Sequence, residues 1–325
     1  MTDAEFGPHL FRPEAIDADT AAFNERLEGM LAGIPQPQTL PPAVVRAARE
    51  SGRGVFGPLT RSAMATERAI PGPGGDLPLR LFVPESVRGV YLHIHGGGWA
   101  FGGAHHQDER LEEIARACRV AVVSVDYRLA PESPYPAGPD DCEAAALWLA
   151  THARAEFGSD RLLIGGESAG GHLSAVTLLR LRDRHGFTGF RGANLVYGAF
   201  DLSMTPSQRR WGERYLVLSG PFIAWAIRGF IGDADPRDPD ISPLYADLRD
   251  LPPALFTVGS LDPLLDDSLF MYGRWVAAGN TAELAVYPGG VHGFDLFPTA
   301  LGRRAHVRMD TFVDRVLAED GHGQG

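Results

Sequence analysis

The sequence predicts an α/β protein whose core is a doubly wound, mostly parallel β-sheet with helices on both faces. Two observations predict this class: short apolar runs alternate with longer stretches of helical period, and several runs are apolar at nearly every position. Continuous apolar runs are typical of strands covered on both faces, as in parallel sheets. The predicted strands are residues 77–83, 89–94, 120–125, 162–165, 193–198, 254–259 and 282–287.

Outside these strands, apolar residues recur at the spacing of one helix face. The stripes are Phe23, Leu27, Met30 and Leu31; Leu269, Tyr272, Gly273 and Val276; and Met309, Phe312, Val313 and Val316. Cys118 and Cys142 fall on similar stripes, so we expect two buried thiols rather than a disulfide.

Two regions do not fit the alternation, and we expect them to form a helical cap. Residues 1–60 contain no strand candidate, and residues 204–236 are an aromatic-rich insertion between two predicted strands. Such an insertion lies above the strand ends, where open α/β sheets bind ligands. The predicted catalytic core is then 61–203 and 237–325, ending in a disordered tail, "EDGHGQG".

The charge and hydropathy patterns exclude several classes of partner. The 325 residues carry a formal net charge of −11, and no run of Lys or Arg could hold nucleic acid or anionic lipid. No apolar run reaches the ~18 residues of a membrane-spanning helix, and the acidic, proline-containing start lacks the pattern of a secretory signal. We therefore expect a cytoplasmic protein without nucleic-acid or membrane partners.

The segment "LLIGGESAGGHLSAVTLLRL" (162–181) sets Ser168 among glycines, between a short apolar run and a longer one. It predicts a strand that ends near Gly165, a tight turn at Ser168 and a helix from about Ala169. Gly166 and Gly170 complete the G-x-S-x-G pattern of a nucleophile elbow, in which backbones approach too closely for side chains. A plain structural turn before a helix fits the same pattern, so the interpretation depends on partners for the hydroxyl.

Two later residues are candidate partners for Ser168. A serine hydroxyl needs a base, and the base needs a group that sets its tautomer. Asp262 follows the predicted strand 254–259, and His292 follows the predicted strand 282–287. Because the carboxyl ends of parallel strands lie at one edge of the sheet, we expect the three side chains to meet there.

The segment "HIHGGGWAFGG" follows the predicted strand 89–94. Successive glycines let backbone N–H groups approach a reacting carbonyl, and we expect Gly97, Gly98 and Ala169 to form an oxyanion hole. A glycine loop for nucleotide phosphate would need a GxGxxG or GxxxxGK pattern, which this segment lacks.

These motifs together resemble the hormone-sensitive lipase family of α/β-hydrolase esterases. "HGGGWAFG", "DYRLAPESPYPA", "GESAGG", "DPLLDD" and "HGF" occur in that family's order over residues 78–297. The resemblance implies an α/β-hydrolase fold with an eight-stranded sheet and a helical cap. It also implies hydrolysis of short or medium acyl esters without metal or organic cofactor, with Ser168 as nucleophile, His292 as base and Asp262 as its orienting acid.

The resemblance also places supporting residues near the site. We expect Asp126, Tyr127 and Glu132 to brace the oxyanion loop rather than take part in chemistry, and His95 to anchor the loop. Gly96 and Glu167 are expected to have structural roles. Candidate walls of the acyl pocket are Trp99, Trp211, Phe222 and Trp225, for which ordinary packing is an equal alternative. His93, His105 and His106 are not expected to bind zinc, because no Cys or carboxylate cluster accompanies them at structural zinc spacing.

Two other functions remain open from the sequence. An amidase or peptidase could use the same constellation of residues. A non-catalytic small-molecule receptor on this scaffold would have lost the histidine, which "VHGF" retains. The partner is thus expected to be a small ester, and a homodimer is allowed by the resemblance.

Overall fold

The structure, a computed structural model, describes residues 6–318, so the tail predicted to be disordered lies outside the described residues. The described chain forms one eight-stranded sheet in the order β1-β2-β4-β3-β5-β6-β7-β8. The strands are β1 (Thr66–Gly72), β2 (Gly75–Phe82), β3 (Gly89–Ile94), β4 (Val120–Val125), β5 (Leu162–Glu167), β6 (Phe190–Val196), β7 (Ala254–Leu261) and β8 (Ala282–Val291). Strand β2 runs antiparallel to β1 and β4, whereas the pairs from β4 to β8 are all parallel. The predicted fold class is confirmed.

The helices are α1 (Ala18–Leu31), α2 (Pro42–Glu50), α3 (Asp108–Cys118), α4 (Ala137–Phe157), α5 (Ala169–His185), α6 (Pro206–Trp211), α7 (Gly220–Ile231), α8 (Leu265–Ala277) and α9 (Ala300–Ala318). Helices α4, α5 and α8 bury their apolar faces in one core, and α3 and α9 contribute to a second core. Strand β3 is buried throughout and its side chains alternate between the two cores, Val90 and Leu92 on one side and Tyr91 on the other. This burial on both faces explains the continuous apolar runs, because side chains on either side of the strand are removed from water. Each buried aliphatic side chain stabilises the folded state by about 1.5–3 kcal/mol.

Several local predictions are confirmed. Helix α5 begins at Ala169, directly after the tight turn. The stripe from Met309 to Val316 is the buried face of α9. Cys118 on α3 and Cys142 on α4 are buried and free.

Other local predictions were wrong. Strand β1 was not predicted, because an edge strand that buries only Ile70 and carries Pro71 lacks an apolar run. The stripe on α8 was assigned to the wrong face: Val276 is 46% exposed, and the buried residues are Asp267, Ser268, Met271 and Trp275. The apolar pattern did not reveal the buried face of α8 because two of its residues, Asp267 and Ser268, are polar. On α1, Met30 is exposed while Leu27 and Leu31 are buried.

The two segments expected to form a cap contact each other in the structure. Arg214 of the insertion forms a bidentate ion pair with Glu28 of α1, with both distances 2.8 Å. Ser219 Oγ donates to Gln36 Oε1 at 2.6 Å. Helix α2 is held to the core by Arg46, whose Nη2 lies 2.8 Å from Glu132 Oε2. None of the helices described, all within residues 6–318, is long and apolar enough to cross a membrane.

Candidate active site

Three polar residues stand at the carboxyl ends of neighbouring parallel strands. Ser168 follows β5, Asp262 follows β7 and His292 follows β8. The strand order places β5, β6, β7 and β8 side by side, so these ends lie at the same edge of the sheet. The edge therefore brings together residues that are far apart in the chain.

A strained turn presents Ser168 above the end of β5. Its backbone has φ 56° and ψ −120°, a conformation that a non-glycine residue rarely adopts. The turn is held because the Ser168 N–H donates to the Val196 carbonyl at 2.9 Å. A Cβ at Gly170 would lie 1.8 Å from the carbonyl oxygen of Ile94, so the start of α5 packs against β3 only with glycine there. The local geometry thus explains both the glycines and the position of the half-buried hydroxyl above the strand end.

The three side chains form a continuous hydrogen-bonded series. His292 Nε2 lies 2.9 Å from Ser168 Oγ, and His292 Nδ1 lies 2.9 Å from Asp262 Oδ2. The Asp262 side chain is fully buried, and its Oδ1 accepts the Leu264 N–H at 2.8 Å. When Nδ1 donates to this carboxylate, the lone pair of Nε2 faces the serine hydroxyl. The arrangement allows the imidazole to take a proton from Ser168.

A glycine loop after β3 lies beside the serine. Gly97 and Gly98 have φ values of 120° and 59°, and Trp99 also has a positive φ of 58°. A Cβ at Gly97 would lie 2.2 Å from the Phe101 carbonyl oxygen, so glycine is required there. Within the described chain, the N–H groups of Gly97 and Gly98 have no backbone acceptor. The Ala169 N–H, at the first turn of α5, has no intrahelical acceptor. These donors are available to a developing oxyanion.

Side chains behind the loop hold it in place. Glu167 accepts the Gly96 N–H at 2.6 Å and also contacts His93 Nε2 at 3.1 Å. The Tyr127 hydroxyl donates to the His95 carbonyl at 2.9 Å, and the two rings stack with centroids 4.2 Å apart.

Two further acids lie near the same loop. Asp126 Oδ1 accepts the Ala104 N–H at 3.1 Å. Glu132 pairs with Arg46, which also donates to the carbonyls of Ala100 and Ala130. The expected bracing role of these residues agrees with their contacts and stays a prediction.

Two buried groups next to the site were not predicted from the sequence. His172, one turn into α5, accepts the Trp99 indole N–H at Nδ1 (3.0 Å) and lies 2.7 Å from the Ile241 carbonyl at Nε2. Burial lowers the pKa of His172 to about 4. Tyr197 packs with its ring centroid 4.7 Å from that of His292, and its hydroxyl donates to Asp295 Oδ1 at 2.6 Å. The spacing of His172 four residues after Ser168 was the one signal that could have identified it.

A cavity of about 400 Å³ opens over Ser168 and His292. Its roof comes from residues 31–59 and from the insertion, including Tyr215, Leu218 and Phe222.

Among the four pocket residues expected from the sequence, only Phe222 lines this cavity. The other three expectations were wrong, because each side chain packs elsewhere. Trp99 stacks on Phe230 at 4.8 Å, and Trp225 stacks on Phe101 at 5.6 Å. The Trp211 indole donates to the carbonyls of Arg214 and Leu218 within the insertion.

A separate cluster joins α2 to the loop after β3. Glu50 Oε1 lies 2.7 Å from Nε2 of both His105 and His106. Their ligand atoms lie within 4.8 Å of one another, so this donor set fits a cation. The carboxylate of this cluster was not predicted from the sequence, because Glu50 lies on α2, far from His105 and His106 in the chain. His93 is not part of the cluster. That the protein works without a metal stays a prediction.

A parallel sheet of this order, with an elbow serine after its central strand, defines the α/β-hydrolase class. Residues 91–296 match a protein family described as having the α/β hydrolase fold. The chain belongs to this family, and the predicted resemblance to hormone-sensitive lipase-type esterases is confirmed.

Similar proteins include the carboxylic ester hydrolase LipN of Mycobacterium tuberculosis, 37% identical over 254 residues, 74% of this chain and 67% of LipN. An acetyl esterase of Salmonella schwarzengrund is 30% identical over 265 residues, 78% of this chain and 77% of that protein. The solved structure of an esterase from Pyrobaculum calidifontis matches with a TM-score of 0.82 and 30% identity, covering 92% of this chain and 98% of the esterase.

Proposed function

We propose that this protein hydrolyses carboxylic esters of short to medium acyl chains with Ser168 as nucleophile, His292 as base and Asp262 as orienting acid. The observation that carries the proposal is the unbroken series of hydrogen bonds among these side chains, each 2.9 Å long. The predicted class of enzyme, a carboxylesterase, is confirmed by its relatives, which include carboxylic ester hydrolases at 37–38% identity.

The reaction proceeds in two halves. Ser168 Oγ attacks the ester carbonyl while His292 Nε2 takes its proton, and the protonated imidazole then gives that proton to the leaving alcohol. Water then attacks the acyl carbon while His292 Nε2 takes one of its protons. The protonated imidazole gives that proton to Ser168 Oγ as the bond between this oxygen and the acyl carbon breaks, which releases the carboxylic acid. The buried Asp262 carboxylate stabilises the imidazolium formed in each half.

The oxyanion stabilisation comes from Gly97, Gly98 and Ala169. Their N–H groups are held by backbone geometry before substrate arrives, so little reorganisation is needed as charge develops on the carbonyl oxygen. A donor of this kind contributes about 3 kcal/mol to transition-state stabilisation. Glu167 supports the loop by holding the Gly96 N–H.

The size of the cavity supports a short or medium acyl chain. A volume of about 400 Å³ is at the lower end of ligand pockets, and its lining is mostly apolar side chains from the cap and the core. An acetyl esterase is among the relatives. Ester rather than amide cleavage is proposed because the relatives described above are esterases.

Hydrolysis of matched aryl esters and anilides tests the reaction, and a fluorophosphonate probe tests the nucleophile. We expect hydrolysis of p-nitrophenyl butyrate, little cleavage of p-nitrobutyranilide, and labelling of the native protein that Ser168→Ala abolishes. Ser86→Ala, which removes an exposed hydroxyl outside the cavity, is the matched control and should still be labelled. Labelling of Ser168→Ala to the same extent would refute the assignment.

The cytoplasmic location and the homodimer stay predictions within this proposal. Size-exclusion chromatography with light scattering tests the homodimer.

A further inference from the structure

We propose that the cavity binds esters that carry a carboxylate group, and that Arg49 of helix α2 is the residue that recognises this group. The inference rests on the proposed function, because it assigns the substrate class of the same cavity. Arg49 lines that cavity together with Ser168 and His292.

Arg49 is a cation without a bonded carboxylate. Its Nε is buried and has no hydrogen-bond partner among residues 6–318, and Arg49 forms no ion pair with a carboxylate in that range. Its guanidinium carbon lies over the Phe56 ring, 5.0 Å from the centroid. A buried polar group without a partner costs about 1–3 kcal/mol, and more when it is charged. Because Nε is closed to solvent, a ligand in the cavity would meet the Nη end of the guanidinium, which forms no hydrogen bond with residues 6–318.

Three other arginines with little side-chain exposure show how this chain satisfies a guanidinium. Arg80 pairs with Asp108, Arg110 with Asp310, and Arg180 with Asp240. On α2 itself, Arg46 bonds both oxygens of Glu132, yet Arg49, one turn further on, has no such partner.

The carboxylates near Arg49 are engaged by other donors. Glu50 is bonded by His105 and His106 through Oε1 and by Arg61 through Oε2. Glu167 is bonded by Gly96, His93 and Gln107. Burial lowers the pKa of Arg49 although Glu167 and Glu50 attract its charge. Neither carboxylate forms a hydrogen bond with Arg49.

The charge distribution of the cavity favours an anion. Arg49 and Arg53 both line the cavity, with Arg53 exposed, and the acidic residue in the lining is Glu167. The whole protein, in contrast, carries a formal net charge of −11. A guanidinium fork matches the two oxygens of a carboxylate, which makes a carboxylate-bearing ester the fitting ligand.

Two pairs of substrates test the inference. The charged ester of the first pair carries its carboxylate on the acyl group, and that of the second pair carries it on the alcohol group. Mono-p-nitrophenyl glutarate is compared with p-nitrophenyl pentanoate, and meta-butanoyloxybenzoate with phenyl butanoate, after subtraction of spontaneous hydrolysis. In at least one pair we expect the charged ester to have the higher kcat/KM. Arg49→Gln should lower the charged-to-neutral ratio of that pair about 10-fold to 100-fold. Arg49→Lys, which keeps the charge but loses the fork, should lower it less.

The matched control is Arg26→Gln, which removes the same charge from an exposed site on α1 outside the lining of this cavity. We expect its ratios to equal those of the unmodified protein. If the neutral esters are hydrolysed but neither ratio changes in Arg49→Gln, the inference is wrong and the proposed function stands.

If no ester is hydrolysed, the proposed function fails. The binding of charged and neutral esters to the protein then tests the carboxylate site without the need for hydrolysis. Calorimetry then compares monoethyl glutarate with diethyl glutarate on Ser168→Ala. Tighter binding of the monoester that is lost on adding Arg49→Gln supports the carboxylate site, and equal binding of the two esters overturns it.

Discussion

Mild acid should destabilise this protein through His172, an imidazole enclosed beneath the proposed nucleophile. The residue is 0% exposed, and its two ring nitrogens contact the Trp99 indole and the Ile241 carbonyl. Because Nδ1 must accept the indole N–H while Nε2 donates to the carbonyl, the folded protein requires the neutral ring. Burial accordingly lowers the pKa of His172 from 6.5 to about 4.

The sign and size of the effect follow from this difference in pKa. The pKa of His172 is 6.5 in the unfolded chain and about 4 in the folded protein. At a pH between these two values, the unfolded chain binds the proton and the folded protein does not. The stability contributed by the neutral ring is therefore complete above pH 6.5 and is lost as the pH falls. At one pKa unit per 1.36 kcal/mol, His172 alone should remove about 2 kcal/mol from the free energy of unfolding between about pH 7.5 and about pH 5.

Urea unfolding followed by circular dichroism at several pH values between these limits measures the effect. His172→Gln keeps a donor for the Ile241 carbonyl but cannot take up a proton, so its loss of stability on acidification should be smaller by about 2 kcal/mol. His152→Gln, the same substitution at an exposed position of α4, is the matched control. Equal pH dependence of the unmodified protein and His172→Gln would refute the reasoning.

The remaining predictions concern the proposed catalytic groups and the turn that presents them. Ser168→Ala and His292→Ala should each lower kcat at least ~10³-fold with p-nitrophenyl butyrate, and unchanged turnover in either variant would contradict the mechanism. Asp262→Asn should lower kcat about 10⁴-fold without loss of fold, because the amide stabilises the wrong tautomer of the imidazole; circular dichroism checks the fold. Gly170→Ala should fail to fold or melt well below the unmodified protein, because its Cβ would lie 1.8 Å from the Ile94 carbonyl oxygen; thermal unfolding measures this.

Much of the fold could be predicted because the information is local. A nearly continuous apolar run such as β4 is recognisable without its neighbours, since burial on both faces leaves few positions for polar residues; Ser124 of β4 is buried and lies 2.8 Å from His93 Nδ1. Strand β1 and the buried face of α8 could not be recognised in this way. The first exposes most of its length at the sheet edge, and the second buries Asp267, which accepts four hydrogen bonds from the segment 200–208.

The candidate site shows the same division. The sequence by itself determined that Ser168, Asp262 and His292 follow strands of one parallel sheet, because strand ends and glycine turns are specified by residues that are close together in the chain. Only the tertiary structure decided that the imidazole bonds both partners at 2.9 Å, and that Arg46 is paired while Arg49 faces the cavity without a bonded carboxylate. The physical reason is that a side chain's partners and burial depend on segments brought together by folding from distant parts of the chain.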